Sequence, residues 1–220
     1  LVLGLSAMGC GSEVVRIAAP PFSQDSLYAP DNVMGARQVL ARVAAAKPTG
    51  VLDVAVAATS TSDFVAVDLQ DGHRWTAHHP LAQRPVIAGP LVIAAGEGKV
   101  TAFDAKTGAQ RWSTPLLGRM TGAGSDGSWT ALTFDQAGRF FLRVVDGSGS
   151  TSFEIESNAR LGVPAVAAGL VFAPWKSLYV SAFDAKSGRL SASFLTQVEA
   201  WEVRAIDGTL FAGRERLLPL

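Results

Sequence analysis

The sequence predicts an all-β fold of repeated small antiparallel sheets, preceded by one short N-terminal helix. First, a short motif recurs four times, and its aspartates Asp68, Asp104, Asp146 and Asp184 are 36, 42 and 38 residues apart. Second, stretches with the two-residue period of half-buried strands precede these motifs. Third, a composition of 48% hydrophobic and 17% charged residues with 22 Gly suits a compact fold rich in turns. A repeat of this length with three or four strands is typical of one β-propeller blade.

The first ten residues form an apolar run that ends in Cys10, the single cysteine of the chain. A small residue precedes this cysteine, and Gly11 and Ser12 follow it directly. The run resembles the C-terminal half of a bacterial lipoprotein signal. This resemblance implies that residues 1–10 are the end of a signal segment and that Cys10 is lipidated. The alternative is a buried first strand with an inert cysteine.

Residues 11–49 are predicted to hold an extended lead-in followed by a helix. Several prolines favour an extended chain over residues 11–30. Within it, residues 13–19 alternate weakly between apolar and polar side chains, as a strand would. If this strand paired with the last repeat, the chain would close a small five-bladed ring; otherwise the repeats are part of a larger ring.

Residues 31–47 favour a helix. Asp31 or Asn32 would cap its start, and Pro48 would end it. Gly35 interrupts the apolar face of this helix. We expect the helix to pack on the blades rather than on another protein.

The most complete copy of the motif lies at residues 102–112 and predicts a strand, a tight turn and a second strand. Asp104 would accept hydrogen bonds from nearby backbone amides, and Gly108 would supply the positive φ that the turn needs. Trp112, on the second strand, would cover the gap between neighbouring sheets. Ala102 and Thr107 complete the pattern.

The other copies of the motif are partial. The first copy keeps four of its residues: Ala66, Asp68, Gly72 and Trp75. The fourth copy keeps three of them: Ala182, Asp184 and Gly188. In this fourth copy Ser187 replaces the threonine, and Ala192 stands where tryptophan is expected. The third copy keeps little beyond Asp146, and a fifth unit is predicted to open at Gly208, so we expect an irregular ring.

The copy at residues 102–112 matches the tryptophan-docking motif of PQQ-like propeller repeats, Ala-x-Asp-x-x-Thr-Gly-x-x-x-Trp, at every defined position. Residues 50–220 resemble this family. The resemblance implies a β-propeller of four-stranded blades, with about four to five blades present out of a ring of seven or eight. It also implies that the motif residues are structural braces between blades, and that no catalytic residue, metal or cofactor is needed.

The lipoprotein-like start and the blades together resemble the BamB-type bacterial lipoproteins. This resemblance implies a non-enzymatic scaffold that is lipid-anchored on the periplasmic side of the cell envelope, at the outer membrane. Its partners would be proteins of a membrane-associated complex, such as one that assembles outer-membrane proteins, and no small-molecule substrate is expected. The loops that connect the blades are the expected binding surface.

Two other functions stay open. A fragment of a PQQ-dependent dehydrogenase would need a catalytic Asp and carboxylate ligands for calcium. Glu154 and Glu156 lie on one side of a predicted strand, but such surface pairs are usually only solvated. A sensor ectodomain of a receptor kinase would need a transmembrane helix and a kinase region. The glycines of residues 122–127 have the spacing of a dinucleotide-binding loop, but no helix follows, so this segment predicts a hairpin turn.

Charge and histidine placement argue against two further classes. Lys plus Arg equals Asp plus Glu at 19 each, and a nucleic-acid binder would normally show a basic excess. His78 and His79 are adjacent and would point to opposite faces of a strand. Together with His73 they make a poor metal site.

Overall fold

The computed structural model describes residues 21–46 and 53–220. Cys10 and the predicted strand at residues 13–19 lie outside these described residues. The described chain contains eighteen strands in five antiparallel sheets, one short 3-10 helix and one α-helix. Of the helices in these ranges, neither has the length and apolarity to cross a membrane.

The five sheets follow one another along the chain, and we number them as blades. Blade 1 holds β1 (Val54–Ala58), β2 (Asp63–Asp68) and β3 (Arg74–His78). Blade 2 holds β4 (Val86–Ala88), β5 (Leu91–Gly96), β6 (Lys99–Asp104) and β7 (Gln110–Pro115). Blade 3 holds β8 (Arg119–Ser125), β9 (Trp129–Gln136), β10 (Arg139–Asp146) and β11 (Thr151–Ser157). Blade 4 holds β12 (Ala165–Ala167), β13 (Leu170–Trp175), β14 (Tyr179–Asp184) and β15 (Leu190–Leu195). Blade 5 holds β16 (Glu202–Ile206), β17 (Thr209–Gly213) and β18 (Leu217–Pro219).

Within each blade the strands are hydrogen-bonded in chain order, and the first strands of neighbouring blades lie side by side. Strand β4 contacts β8, β8 contacts β12, and β12 contacts β16. This is the radial arrangement of propeller blades around an axis. The predicted fold class is therefore confirmed: the described chain is part of a β-propeller. The fifth unit begins at β16. This strand precedes Gly208, the residue at which the sequence predicts the start of the unit.

The core lies between the blades as four clusters, one for each pair of neighbouring blades. Side chains on one strand alternate between two clusters, since successive residues point to opposite faces. Val100 and Ala102 on β6 face blade 3, whereas Phe103 faces blade 1. Because both faces are buried, a central strand such as β5 is buried along its whole length.

The N-terminal segment differs in part from its prediction. Residues 24–28 form a 3-10 helix, η1 (Gln24–Tyr28), rather than extended chain. The α-helix α1 (Asn32–Ala44) is present, but neither candidate side chain caps it. Asp31 occupies the N-cap position without a side-chain cap bond, and the Asn32 amide is bonded to the backbone of β15 instead.

The glycines of residues 122–127 are only partly a turn. Gly122 and Gly124 lie inside β8, and only Gly127 belongs to the β8–β9 hairpin. A Cβ on Gly124 would be 2.2 Å from the carbonyl oxygen of Pro164 in the neighbouring blade. The hairpin prediction is therefore wrong for the first two glycines, which allow the inner parts of blades 3 and 4 to approach closely.

Candidate functional site

The turn after β6 has a carboxylate at its centre. One Asp104 carboxylate oxygen accepts hydrogen bonds from the backbone amide of Lys106, at 3.1 Å, and from the amide and hydroxyl of Thr107, at 3.0 Å each. Burial alone would raise the pKa of Asp104, but these hydrogen bonds outweigh it and lower the pKa below its ordinary value. Gly108 follows with a φ of 72°, as the turn requires.

Equivalent turns follow β2, β10 and β14. Asp68 accepts from the amide of Gln70, Asp146 from Ser148 and Ser150, and Asp184 from Ser187. In each of blades 1 to 4 this turn joins the last two strands of the blade. The four turns therefore lie on the same face of the propeller, which we call the Asp-turn face. The face that carries the β5–β6, β9–β10 and β13–β14 hairpins is then the hairpin face.

Trp75 joins blade 1 to the turn of blade 2. Its indole nitrogen donates a 2.9 Å hydrogen bond to the carbonyl oxygen of Ala105. Its ring lies directly on Gly108, where a Cβ would be 2.6 Å from the ring atoms. Ala66 pairs with Trp75 across the sheet and is fully buried. The motif residues of two blades thus form one contact.

The same contact recurs at the next two junctions with different side chains. Trp112, 4% exposed, lies on Gly149 of the blade 3 turn. Phe153, 1% exposed, lies on Gly188 of the blade 4 turn. Phe153 pairs with Val144 just as Trp112 pairs with Ala102. The third copy therefore keeps an aromatic brace, which the sequence motif does not predict because phenylalanine stands in place of tryptophan.

At the fourth junction helix α1 takes the position of the aromatic side chain. Ala182 pairs with Ala192, the residue at the tryptophan position, and both belong to a cluster with Val39 and Val43 of α1. Gly35 allows this approach, since a Cβ there would be 2.5 Å from the backbone oxygen of Ser191. The helix packs on β15 and β17, so it bridges blades 4 and 5.

The N-terminal segment wraps around the outer edge of blade 4. On the blade 3 side, Phe22 makes edge contacts with Trp175 and Phe183, at ring-centroid distances of 5.8 and 5.5 Å. At the edge itself, the Asn32 side chain donates to the carbonyl oxygen of Ser193 at 2.9 Å and accepts from its amide at 2.8 Å. This pairing covers part of the outer edge of β15, whose backbone would otherwise be open.

A recess of about 400 Å³ lies on the hairpin face, between the loops that lead into blades 4 and 5. The guanidinium of Arg160 lies over the ring of Trp201, 5.0 Å from its centroid. Arg214 also lines the recess and reaches Glu199 at 3.3 Å. The amide of Val163 donates to the carbonyl oxygen of Trp201 at 2.7 Å, so the two loops are tied together. We call this feature the Arg-Trp recess.

The charged side chains at the Arg-Trp recess are arginines together with two carboxylates, Glu199 and Asp135. A hydrogen bond from the Gly138 amide lowers the pKa of Asp135, and the charges of Arg119 and Arg160 lower it further. Asp135 therefore stays ionised at neutral pH and pairs with Arg119 at 3.4 Å. Arg160 is exposed and is held by its contact with Trp201.

A larger cavity of about 1150 Å³ lies along the inner strands. Small and apolar side chains of β4, β8, β12 and β16 provide most of its wall, among them Ile87, Ala123 and Val203. Its charged lining residues are Asp126, Glu202, Arg204 and Asp207. In the described ranges, no three His, Cys, Asp or Glu side chains come together in a way that would hold a metal ion.

Glu154 differs from its prediction as a solvated side chain, whereas Glu156 is exposed as predicted. Glu154 accepts from Nε and Nη2 of Arg143, at 3.0 and 2.8 Å, in a pair that is largely buried. Arg143 also donates to the carbonyl oxygen of Pro115 at 2.6 Å, which links blade 3 to blade 2. Glu156 accepts from Arg139 through both carboxylate oxygens. Both glutamates are engaged in cross-strand ion pairs.

The adjacent histidines have separate environments. His78 is exposed and its Nδ1 lies 2.9 Å from the Asp63 carboxylate. His79 is buried beside Phe103, with ring centroids 6.0 Å apart. Burial lowers the pKa of His79, although a hydrogen bond with the Ala94 backbone opposes this shift. The two rings therefore do not converge on one site.

Comparison with known proteins places these features in a class. The repeat braces define the class of PQQ-like β-propeller repeats. A family model described as "Outer membrane protein assembly factor BamB" matches residues 64–218, which is most of the chain. The chain belongs to this BamB-type repeat family.

One curated relative and one solved structure illustrate the similarity. The outer membrane protein assembly factor BamB of Burkholderia pseudomallei (strain K96243) is 32% identical over 136 residues, which cover 61% of this chain and 35% of the relative. The chain thus spans about a third of the length of this curated relative. The crystal structure of BamB from Moraxella catarrhalis has 21% identity and a TM-score of 0.45, over 73% of this chain and 54% of that one.

Proposed function

We propose that this chain acts as a non-enzymatic scaffold in a bacterial envelope complex that assembles outer-membrane proteins. The observation that carries the proposal is the family match over residues 64–218, which runs through all five blades. The relative's name describes an assembly factor of outer-membrane proteins. A propeller supports this role because its rigid blades hold many loops at fixed positions for protein contacts.

We propose the Arg-Trp recess as the partner-binding surface. Trp and Arg are the residues that most often dominate the binding energy of protein interfaces. Here Trp201 is half-buried, and Arg160 stacks on it while its charged group stays exposed. The loops beneath are already fixed, because Val163 bonds to Trp201 and Val203 bonds to Val163. A pre-ordered surface loses little entropy when a partner binds.

Capture of envelope proteins tests this surface. The full chain is immobilised, incubated with detergent-solubilised outer membrane, and the retained proteins are identified by mass spectrometry. We expect a defined set of assembly proteins with the wild-type chain, and a loss of about tenfold or more with Arg160→Glu or Trp201→Ala. Lys186→Glu is the matched control, because it makes the same charge change on the Asp-turn face. Equal retention by Arg160→Glu and wild type would remove the recess from the proposal.

The membrane tether at Cys10 is a separate part of the proposal, together with an outer-membrane, periplasmic location. Cys10 is the single cysteine and follows an apolar run. Labelling of growing cells with radioactive palmitate is expected to mark the wild-type chain and to leave Cys10→Ser unlabelled. Absence of label from the wild type would contradict the tether without affecting the capture experiment.

The non-enzymatic role and the absence of a cofactor also have a direct test. We propose that the motif residues, from Ala66 to Gly188, serve as architecture and that no quinone binds. Titration with the quinone and calcium is expected to leave the intrinsic fluorescence of the five tryptophans unchanged. Stoichiometric quenching would instead favour the dehydrogenase alternative.

A further inference from the structure

The outer rim of blade 4 carries a group of exposed apolar side chains. Among the described residues eight large hydrophobic side chains are exposed, and four of them lie here: Tyr28, Val33, Met34 and Leu195. Their exposed fractions are 83%, 62%, 65% and 60%. Single exposed apolar residues are ordinary on a folded protein, whereas a group of them marks a contact surface. We call these four residues the rim patch.

The four residues of the rim patch share the outer edge of blade 4 because the N-terminal segment is fixed to β15. Asn32 is paired with the backbone of Ser193, and Ser26 is bonded to the Ser193 hydroxyl at 2.7 Å. Val33 follows Asn32 directly, and Leu195 lies on the same strand face as Ser193. Tyr28 ends η1, which contacts both α1 and β15. The four residues therefore lie along the outer edge of blade 4, beside β15.

Basic side chains accompany the rim patch. Arg37 is exposed and lies one helical turn after Val33 and Met34, so it shares their side of α1. Next to them is a groove of about 630 Å³. Its wall includes the apolar Met34, Leu170 and Leu190.

Charged side chains of both signs line the same groove. Arg42 and Arg189 are the basic ones, and Asp31 is the acidic one. Arg42 lies 4.0 Å from Asp184 and is partly neutralised, whereas Arg189 is exposed. An apolar wall with guanidinium groups beside it matches the two chemical parts of an anionic lipid, its acyl chain and its headgroup.

We propose that the rim patch contacts an anionic lipid bilayer. Tyr28, Val33 and Met34 enter the interfacial layer, while Arg37 and Arg189 meet the headgroups. The chain position favours a lipid surface over a protein partner. Pro21 lies at blade 4, where its carbonyl oxygen is 3.5 Å from the Ser181 hydroxyl.

The distance from the tether is short. Ten residues lie between Cys10 and Pro21, and the eleven Cα–Cα steps from Cys10 to Pro21 span at most about 40 Å in an extended chain. A tether at Cys10 would therefore keep Pro21, and with it the rim of blade 4, within about 40 Å of the membrane. This last step rests on the tether of the proposed function, whereas the apolar and basic surface stands without it.

Vesicle binding by the full, unlipidated chain tests the proposal. Cys10→Ser removes the acyl acceptor and the single native thiol. We expect this chain to float with vesicles of phosphatidylethanolamine and phosphatidylglycerol, and more weakly with phosphatidylcholine vesicles. The added changes Val33→Gln and Met34→Gln are expected to reduce the bound fraction about tenfold. Leu69→Gln is the matched control, since Leu69 is 64% exposed in the blade 1 turn.

A site-specific probe gives a second readout. In the Cys10→Ser chain, Val33→Cys and Leu69→Cys are each labelled with an environment-sensitive fluorophore. The Val33 label is expected to shift to the blue on adding anionic vesicles, and the Leu69 label is expected to stay unchanged. The proposal is overturned if the chain fails to float or if Leu69→Gln reduces binding as much as the rim changes. It is also overturned if sedimentation shows that the rim changes abolish self-association, because the patch then binds a second copy.

This test is independent of the scaffold role. No protein partner is present, and the acyl chain has been removed. A chain that captures envelope proteins but does not float would leave the proposed function intact and remove only the lipid surface. A chain that floats but captures no envelope protein would support the lipid surface and contradict the scaffold role.

Discussion

Between blades 1 and 2 the gap is closed by Trp75, a residue of the repeat itself, whereas between blades 4 and 5 it is closed by α1. In the first case one indole covers Gly108 and bonds to the Ala105 carbonyl oxygen. In the second, Val39 and Val43 fill the space above Ala192. Both solutions bury apolar surface between two blades. Gly108 is the turn residue that the brace covers, whereas Ala192 occupies the position of the brace itself and leaves its space to α1.

The two junctions differ in how far apart in the sequence their contacting residues are. Trp75 and Gly108 are neighbours in consecutive repeats, so their contact requires only two blades. Helix α1 and Ala192 are about 150 residues apart, and bringing them together requires most of the described chain to be in place. The helix thus ties the N-terminal segment to the late blades. Loss of tryptophan from a repeat, as at Ala192, makes room for such a segment.

The largest expected effect comes from removing an aromatic brace. Trp112→Ala empties a buried site in the cluster between blades 2 and 3, and it is expected to lower the free energy of unfolding by about 3–5 kcal/mol. Urea unfolding followed by circular dichroism measures this change. Trp201→Ala is the control, because Trp201 is only half-buried and its loss should cost much less. Equal losses of unfolding free energy in Trp112→Ala and Trp201→Ala would mean that the brace stabilises the fold no more than a half-buried tryptophan does.

Restoring the missing tryptophan is expected to have an intermediate effect. In Ala192→Trp the new indole competes with Val39 and Val43 for one space, so α1 is expected to leave the blades. The overpacking is expected to cost about 1–3 kcal/mol. Limited proteolysis should then cut within α1 faster than in the wild type. Leu195→Trp adds the same ring at an exposed position of β15, so its cleavage rate should stay unchanged.

A smaller effect is expected when only the hydrogen bond of the brace is removed. Trp75→Phe keeps an aromatic ring over Gly108 but loses the donor to the Ala105 carbonyl oxygen. The expected loss is about 1 kcal/mol, measured as a shift of the urea midpoint. Trp75→Ala removes the ring contact too and should cost more. If the two variants were equally stable, the ring contact would contribute nothing.

The sequence predicted the blades well because the repeat carries its own signals. Alternating strands, Asp-centred turns and glycines at positive φ are local features, and Asp104 to Gly108 behave as their residue types require. The brace at Phe153 was not predicted, because any flat aromatic ring can cover Gly188 whereas the motif specifies tryptophan. The role of Gly35 was also hidden. It interrupts the apolar pattern of α1 but permits contact with Ser191, which only the tertiary structure shows.

The recess and the rim patch were less predictable than the blades. Arg160 and Trp201 are 41 positions apart in the sequence and lie in unpatterned loops, so no periodicity joins them. The pairing of Glu154 with Arg143 follows from strand register, which places them opposite each other. The sequence alone suggested a solvated glutamate because it does not reveal which strand covers that face.

The smallest expected effect concerns the turns and appears only in acid. Hydrogen bonds from Thr107 and Lys106 outweigh burial and hold the pKa of Asp104 below its ordinary value of 3.8. A lowered folded-state pKa means that the carboxylate stabilises the fold above the unfolded pKa, and that this stabilisation is lost as the pH falls through the folded pKa. Asp146 and Asp184 shift in the same direction. Stability is therefore expected to fall below about pH 5.

In Asp104→Asn the amide oxygen still accepts the turn's hydrogen bonds, but it does not titrate. The variant is expected to be slightly less stable at neutral pH and to lose less stability on acidification. Thermal melts at a series of pH values between neutral pH and the acid transition measure how steeply the stability of the wild type and of Asp104→Asn falls with pH. Asp31→Asn makes the same change at a side chain that caps nothing, and its slope should follow the wild type. If the stability of Asp104→Asn depends on pH as steeply as that of the wild type, the Asp104 side chain stabilises the turn through its hydrogen bonds and not through its charge.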